Sequence, residues 1–138
     1  MKDFDRVMYN GEADELSGRI IGCALEVHSQ LGPGLLESTY EECLAYELSQ
    51  LQIPFTRQLL LPIQYKSLSL EKAYKVDFLV SSQLIVELKV IEKVLPVHKA
   101  QLRTYLRHAR LRRGLIFNFN EESLRSGMHR VTIQNPLQ

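Results

Sequence analysis

Apolar and polar residues alternate along residues 73–90, a pattern that predicts two β-strands joined by a short polar turn. The alternating apolar residues are Tyr74, Val76, Phe78 and Val80 in the first strand and Leu84, Val86, Leu88 and Val90 in the second. Both sets have to share one face of the hairpin, so the tightest pairing places Val80 opposite Leu84 across a loop of residues 81–83. The pattern therefore predicts a hairpin with one buried face and one polar face.

The polar face of this hairpin brings two acids together in the predicted register. Asp77 falls opposite Glu87, and Lys89 lies diagonal to Asp77. Carboxylates that face each other across a ladder repel, and a cation between them relieves the repulsion. A solvated face, on which Lys75 and Lys89 neutralise the acids diagonally, explains the same pattern and is the commoner arrangement for a hairpin considered alone.

Apolar residues at helical spacing predict three helices around the hairpin. The first covers residues 15–31 and ends at the Gly-Pro-Gly of residues 32–34, and the second covers residues 35–50. The third begins after Pro96 and covers residues 97–112, since proline suits the first position of a helix.

An acid stands beside the apolar stripe of the second helix. The stripe consists of Leu36, Tyr40, Cys43, Leu44, Leu48 and Leu51. At its margin Glu37 is costly to bury unless it is paired or bound to a metal. In the first turn Glu37 also complements the positive end of the helix dipole, and the sequence does not decide between these roles.

The third helix carries two different polar faces. Gln101 and Tyr105 are four residues apart and therefore share one side. A basic stripe follows at intervals of three and four residues and consists of Lys99, Arg103, Arg107 and Arg110. Such a stripe is more often a solvated helix face than a phosphate-binding track.

The remaining apolar runs predict three further strands. Pro62 favours an edge or bulge position for the strand at residues 57–65, and the polar residues 66–72 turn the chain into the hairpin. Shorter strands are expected at residues 115–119 and 129–133. The chain has 138 residues and shows no repeat or linker, so we expect a loose N-terminal segment of residues 1–14 followed by one α/β domain over residues 15–138.

Composition limits the class of protein. Hydrophobic residues make up 45% and charged residues 24% of the chain, as in ordinary globular proteins. No apolar run approaches the ~20 residues that span a membrane, and the polar N-terminus lacks the apolar core of a signal peptide. Cys23 and Cys43 lie on apolar helix faces and predict reduced thiols in a cytoplasmic protein.

The charge is distributed unevenly. Residues 1–47 contain three Lys and Arg against ten Asp and Glu, whereas residues 48–138 contain fourteen against six. A basic C-terminal part fits a polyanionic partner, and it fits an ordinary folded domain with charged faces equally well.

Eight short segments occur in an order that resembles a known family. They are Leu-Gly-Pro-Gly at residues 31–34, Gly-Leu-Leu-Glu-Ser-Thr-Tyr at 34–40, Val-Asp-Phe at 76–78, Val-Glu-Leu-Lys at 86–89, Pro-Val-His at 96–98, Gln101 with Tyr105, Gly-Leu-Ile-Phe-Asn-Phe at 114–119 and Gly-Met-His-Arg-Val at 127–131. Over residues 16–131 the chain thus resembles the GxxExxY family, small bacterial proteins of the PD-(D/E)XK nuclease superfamily. Val76 departs from the proline in the superfamily's name.

The resemblance implies a fold and a metal site. The fold would be a single-domain restriction-endonuclease-like core in the order α-β-β-β-α-β, with a mixed central sheet flanked by helices. Asp77 and Glu87 would match the acidic pair that holds a divalent metal, Lys89 the lysine of the signature, and Glu37 an additional helical acid. The resemblance therefore implies Mg²⁺ or Mn²⁺ held by Asp77, Glu87 and Glu37.

It also implies a substrate surface. Gln101 and Tyr105 are similar to the Q…Y motif of RecB-type nucleases on the helix after the catalytic hairpin. The residues expected to bind substrate are Gln101, Tyr105, Tyr40, Lys99, Arg103 and Arg107.

These expectations describe a Mg²⁺-dependent nuclease, a hydrolase acting on DNA phosphodiesters. Mg²⁺ keeps several waters and takes one or two protein carboxylates plus the substrate phosphate, which fits Asp77 and Glu87. Lys89 would position or deprotonate the attacking water or stabilise the phosphorane. Two alternatives are a non-catalytic nucleic-acid-binding module and a protein-interaction or regulatory domain that keeps the nuclease fold. A homodimer suits a domain that engages two strands, but no residue pattern requires it.

Overall fold

A computed structural model of the chain describes residues 12–134, with side chains from Asp14 onward. In chain order the elements are α1 (Glu12–Leu31), α2 (Glu37–Gln50), β1 (Phe55–Tyr65), β2 (Leu68–Val80), β3 (Leu84–Lys89), α3 (Pro96–Ala109), β4 (Arg113–Asn118), a 3-10 helix (Leu124–Gly127) and β5 (Met128–Thr132). The predicted order of helices and strands is confirmed. Residues 1–11 of the predicted N-terminal segment lie outside the described residues, and α1 begins at Glu12 rather than at Glu15.

The five strands form one mixed sheet in the order β1-β2-β3-β4-β5. Among the strands of residues 12–134, only β3 and β4 pair in parallel, and α3 supplies the crossover that a parallel connection needs. β1 is an edge strand whose register shifts between Leu61 and Ile63, so both positions predicted for Pro62 are confirmed. This mixed sheet with helices on it confirms the expected fold class. Among residues 12–134, none of the helices combines the length and apolar character of a membrane-crossing segment.

Helices cover both faces of the sheet. One core lies between the sheet and α1 and α2, and includes Ile20, Leu44, Leu48, Val86, Leu88 and Phe117. The other lies under α3 and includes Val76, Ile85, Leu102, Leu106 and Ile116. The prediction of a polar second face is therefore wrong for β3, because a central strand between two helical layers is buried on both sides.

Several predicted element limits are also wrong: α2 begins at Glu37 rather than at residue 35, and α3 ends at Ala109 rather than at residue 112. The end of α2 at Gln50 is confirmed. Leu36 and Leu51 of the predicted stripe are 74% and 46% exposed because they lie just outside α2. Tyr40, Leu44 and Leu48 of the predicted stripe are fully buried. The polar segment at residues 66–72 is mostly strand, since β2 begins at Leu68.

The hairpin register is confirmed near the loop, where Phe78 pairs with Val86 and Val80 with Leu84. The shared apolar face is confirmed only in part. Phe78 and Val80 pack against α1 and α2, whereas Tyr74 and Val76 pack in the core under α3. A regular strand keeps residues of equal parity on one face, so the alternation of β2 must reverse between Val76 and Phe78, at Asp77.

β1 reverses its faces at the same level. Phe55 packs in the core with α1 and α2, and Leu59 packs in the core under α3. Between them Gln58 adopts a φ of +51°, which costs a non-glycine residue roughly 1–2 kcal/mol. The flanking pairs of the ladder, Arg57 with Phe78 and Leu59 with Val76, place Gln58 opposite Asp77. Both strands therefore change faces together at this pair of residues.

Candidate active site

The candidate site lies where the ladder between β2 and β3 ends. The last recorded pair is Phe78 with Val86. Beyond it, the Leu88 N–H donates to Asp77 Oδ2 at 2.8 Å. At this point β3 is therefore bonded to a side chain of β2 rather than to its backbone. The separation of the two strands brings the Asp77 side chain against β3.

Glu87 faces Asp77 from β3 and is only 8% exposed. Its Oε1 atom is buried without a hydrogen-bond partner among the described residues. Burial, the negative charge of Asp77 and a hydrogen bond between the two carboxyl groups raise the pKa of Glu87 to about 9, against an opposing effect of Lys89. The structure thus brings Asp77 and Glu87 together, where one of them holds a proton unless a cation replaces it.

Glu37 approaches the same pair from the first turn of α2. Partial burial raises the pKa of Glu37, the charge of Asp77 raises it further, and the Lys89 ammonium lowers it. The first turn also gives the carboxylate a favourable position at the positive end of the helix dipole. Both roles considered for Glu37 are thus compatible with its position.

Lys89 lies at the end of β3, and its cation acts on both Glu37 and Glu87. The strand end is fixed by the Phe119 N–H, which donates to the Lys89 carbonyl at 2.9 Å. The following residues are held by Asn118, which is fully buried. Its Oδ1 accepts from the Ile91 N–H at 3.1 Å and its Nδ2 donates to the Ile91 carbonyl at 2.9 Å. Asn118 was not predicted from the sequence, although a polar residue inside an apolar strand was an available signal.

Tyr105 and Gln101 reach the site from α3. Burial raises the pKa of Tyr105, followed by the charges of Glu87 and Asp77, and a hydrogen bond from Gln101 lowers it. The ring of Tyr105 stacks on Tyr74 with a centroid distance of 4.6 Å. The Tyr74 hydroxyl also donates to the Tyr105 carbonyl at 3.1 Å. The charges of both carboxylates therefore reach Tyr105, and Gln101 is linked to them through its hydrogen bond with Tyr105.

Two further residues of the site were missed from the sequence. Gln58 Nε2 donates to Glu41 Oε1 at 2.6 Å and to Asp77 Oδ1 at 3.3 Å. Glu41 lies one helical turn after Glu37, and this spacing was a signal for it. No sequence pattern indicated Gln58, because its position depends on a left-handed backbone conformation inside a strand.

Tyr40 does not fit the predicted role in substrate binding. Its side chain is fully buried and stacks on Phe119 at 4.5 Å. Its hydroxyl donates to the Gly32 carbonyl at 2.6 Å and accepts from the Leu35 N–H at 3.1 Å. Tyr40 therefore fixes the loop that precedes α2 and offers no surface to a ligand.

The basic stripe of α3 lies on a different side from the Q…Y pair. At about 100° per residue, Arg103 points about 200° away from Gln101 around the helix axis. Lys99 acts on His129 of β5, whose pKa is lowered by burial and then by that charge. Arg103 and Arg107 are exposed. A ligand that contacts both the stripe and the carboxylates has to extend around α3, and the role of Lys99, Arg103 and Arg107 stays a prediction.

The acids fit a metal site made of two carboxylates better than one made of three. No three Asp, Glu, His or Cys side chains within residues 12–134 converge closely enough to hold a metal ion. The charges of Asp77 and Lys89 act on Glu37, and its role as a third metal ligand stays a prediction. Asp77 and the unpartnered Oε1 of Glu87 still provide hard oxygens, and Mg²⁺ takes only one or two protein carboxylates.

Comparison with known proteins agrees with this architecture. A family model described as the PD-(D/E)XK nuclease superfamily matches residues 14–131. Since this match covers most of the chain, the protein belongs to the PD-(D/E)XK nuclease superfamily. A search of curated proteins found no match, and a search of solved structures found none either.

Proposed function

We propose that this protein is a GxxExxY-family nuclease that hydrolyses DNA phosphodiester bonds with Mg²⁺ or Mn²⁺ held by Asp77 and Glu87. One observation carries the proposal: the buried Oε1 of Glu87 has no hydrogen-bond partner within residues 12–134 and belongs to a carboxyl group that lies beside a second one. Burying two acids together is costly, and a divalent cation that binds both removes the cost. A module that only binds nucleic acid, or a protein-interaction domain, has no use for such a pair.

Each residue then has a chemical role. A divalent metal held by Asp77 and Glu87 would supply an activated water and neutralise charge that develops on the phosphate. The Lys89 ammonium positions the attacking water and stabilises charge on the phosphorane. Glu37 orients water at the edge of the site, and Tyr105 with Gln101 positions the substrate backbone.

Metal binding at this site should release a proton. Because the pKa of Glu87 is about 9, its carboxyl group holds a proton at neutral pH when no cation is bound. The cation has to displace this proton, so metal affinity increases with pH until Glu87 is ionised. The same coupling predicts higher activity in mildly alkaline solution.

We expect the partner to be DNA and the location to be the cytoplasm. Exposed Arg103 and Arg107 supply cationic groups for a phosphate backbone that passes around α3. Free Cys23 and Cys43 agree with a reducing compartment.

Sedimentation of the protein with and without DNA tests whether two copies of the chain form a homodimer.

Cleavage assays test the proposal directly. Single-stranded DNA, double-stranded DNA and RNA are incubated with Mg²⁺, Mn²⁺ or EDTA. We expect metal-dependent DNA cleavage that falls at least ~100-fold in Asp77→Asn and Lys89→Ala. The matched control Lys72→Ala removes an exposed lysine of β2 and should retain full activity.

Three results would contradict the proposal. DNA binding without cleavage in Mg²⁺ and Mn²⁺ as well as in EDTA indicates a non-catalytic binding module. Absence of DNA and RNA binding in every buffer indicates a protein-interaction or regulatory domain. Equal cleavage by wild type and Asp77→Asn assigns the activity to a contaminant.

A further inference from the structure

Gln58 has an unusual backbone for its place in the fold. Among residues 12–134, the non-glycine residues with positive φ are Gln52, Gln58, Lys66, Ser81, Ser82 and Arg110. The others lie in turns or at a helix end, whereas Gln58 lies within the paired stretch of β1. A left-handed residue inside a strand is strained, and strain of this kind is concentrated at functional sites.

The side chain of Gln58 explains why glutamine rather than glycine stands there. Glycine adopts a φ of +51° without strain, so backbone geometry alone favours glycine. The amide of Gln58 lies between two carboxylates and donates to Glu41 Oε1 and Asp77 Oδ1. Glu41 is itself held by Arg57, whose Nη1 is 3.6 Å from Glu41 Oε2. The strained residue thus connects the α2 surface to Asp77.

Both oxygens of Asp77 are engaged by the protein. Gln58 donates to Oδ1, and the Leu88 N–H donates to Oδ2. These two donors come from two different strands and add to the hydrogen bond between the Asp77 and Glu87 carboxyl groups. Without Gln58, Oδ1 of Asp77 loses the donor from β1 that holds the rotation of the carboxylate.

We propose that Gln58 is a positioning residue that holds Asp77 in the orientation needed to share a divalent cation with Glu87. The inference rests on the proposed function, because it assigns the cation to that pair. Gln58 touches neither substrate nor the reacting atoms in this scheme. It acts through Asp77, as residues behind metal ligands do in other metal sites.

The test uses Gln58→Gly, which keeps the backbone conformation and removes the amide. Gln52→Gly is the matched control, since Gln52 has a φ of +58° and is exposed in the turn after α2. Both variants should melt at or above the wild-type temperature, because glycine removes the strain. If Gln58→Gly does not fold, Gln58→Asn replaces it, since asparagine tolerates positive φ and its amide is one carbon shorter.

The first readout needs neither metal nor activity. Amide hydrogen exchange of Leu88, measured by NMR in metal-free protein, reports the hydrogen bond to Asp77 Oδ2. We expect exchange at least ~10-fold faster in Gln58→Gly, with unchanged rates in Gln52→Gly and in the amides of β4. An unchanged Leu88 rate in Gln58→Gly overturns the proposal.

The second readout is Mg²⁺ binding measured by titration calorimetry. We expect the Kd of Gln58→Gly to rise roughly 10- to 100-fold, and that of Gln52→Gly to match wild type. Equal Kd values in Gln58→Gly and wild type overturn the inference while leaving the proposed function intact. If wild-type protein binds no Mg²⁺, the proposed function fails, and the Leu88 exchange rates alone decide whether Gln58 positions Asp77.

Discussion

Replacing Glu87 with glutamine should stabilise the metal-free protein at neutral and alkaline pH. Glu87 is 8% exposed, and the pKa of its carboxyl group rises from an ordinary value of 4.5 to about 9 on folding. Glutamine has nearly the same shape, does not ionise and can donate a hydrogen bond to Asp77. The substitution therefore removes the cost of burying an acid next to another acid.

The sign and size of the effect follow from linkage. A glutamate whose pKa is raised on folding carries no penalty below the unfolded pKa, and the free energy of unfolding falls as pH rises from 4.5 toward 9. Each pH unit in this window costs about 1.4 kcal/mol. At pH 7 the Glu87 carboxyl thus lowers the free energy of unfolding by about 3 kcal/mol. Glu87→Gln should recover most of this lost free energy of unfolding.

Urea unfolding in EDTA at several pH values measures the difference between the two proteins. We expect Glu87→Gln and wild type to be equally stable near pH 4.5, with the advantage of the variant growing up to about pH 9. Glu71→Gln is the matched control, since Glu71 is exposed on β2 and should show no growing difference. At a hundredfold excess of Mg²⁺ over Kd, wild type should gain about 2.7 kcal/mol and Glu87→Gln much less.

Two outcomes would refute this reasoning. If the stability difference between Glu87→Gln and wild type is the same at pH 5 and at pH 8, Glu87 does not titrate between these values. If Mg²⁺ stabilises the variant as much as wild type, the cation binds elsewhere. Either result removes the physical basis of the metal site.

Three other predictions follow from the geometry. Calorimetry in buffers of different ionisation enthalpy should show release of about one proton per Mg²⁺ at pH 7, with affinity that rises up to tenfold per pH unit until Glu87 is ionised near pH 9. Asn118→Ala should lower the free energy of unfolding by roughly 2–3 kcal/mol, because it removes both hydrogen bonds to Ile91. Tyr40→Phe should cost about 1 kcal/mol in urea unfolding, because it removes the hydroxyl bonded to the Gly32 carbonyl.

Each of these predictions has a result that contradicts it. Mg²⁺ binding without proton release indicates that Glu87 is already ionised in the free protein. Asn120→Ala is the control for Asn118→Ala, because it removes one longer bond of 3.3 Å to Ile91. If Asn118→Ala lowers the free energy of unfolding no more than Asn120→Ala does, Asn118 does not anchor the chain after β3. A Tyr40→Phe variant as stable as wild type would show that the loop before α2 does not depend on the hydroxyl.

Local pattern predicted much of the fold because the relevant signals lie within a few residues of each other. The alternation at residues 73–90 is sufficient for the register near the loop, where Phe78 pairs with Val86. Gly32-Pro33-Gly34 ends the first helix, and Pro62 lies at an edge strand with a bulge. Turn residues and period-two spacing report local geometry directly, so these features needed no knowledge of distant contacts.

The candidate site could be predicted only in part. The register placed Asp77 opposite Glu87, and the resemblance indicated Lys89, Gln101 and Tyr105, which all lie near the pair. Tyr40 was assigned to substrate, yet it is buried. The spacing of a motif shows neither that the ring of Tyr40 packs in the core nor that its hydroxyl bonds to the loop before α2. It therefore could not show that Tyr40 is buried.

The sequence by itself determined the order of elements, the hairpin and the pair of acids that a short turn brings within reach of each other. Only the tertiary structure decided that Glu87 is buried on a central strand, because the residue pattern of that strand does not show that α3 packs on its second face. It also decided that β1 and β2 reverse their faces at Gln58 and Asp77, so that each of these strands packs in both cores. Burial and strain depend on what packs from elsewhere in the chain, and they turn two facing acids into a site that a cation would stabilise.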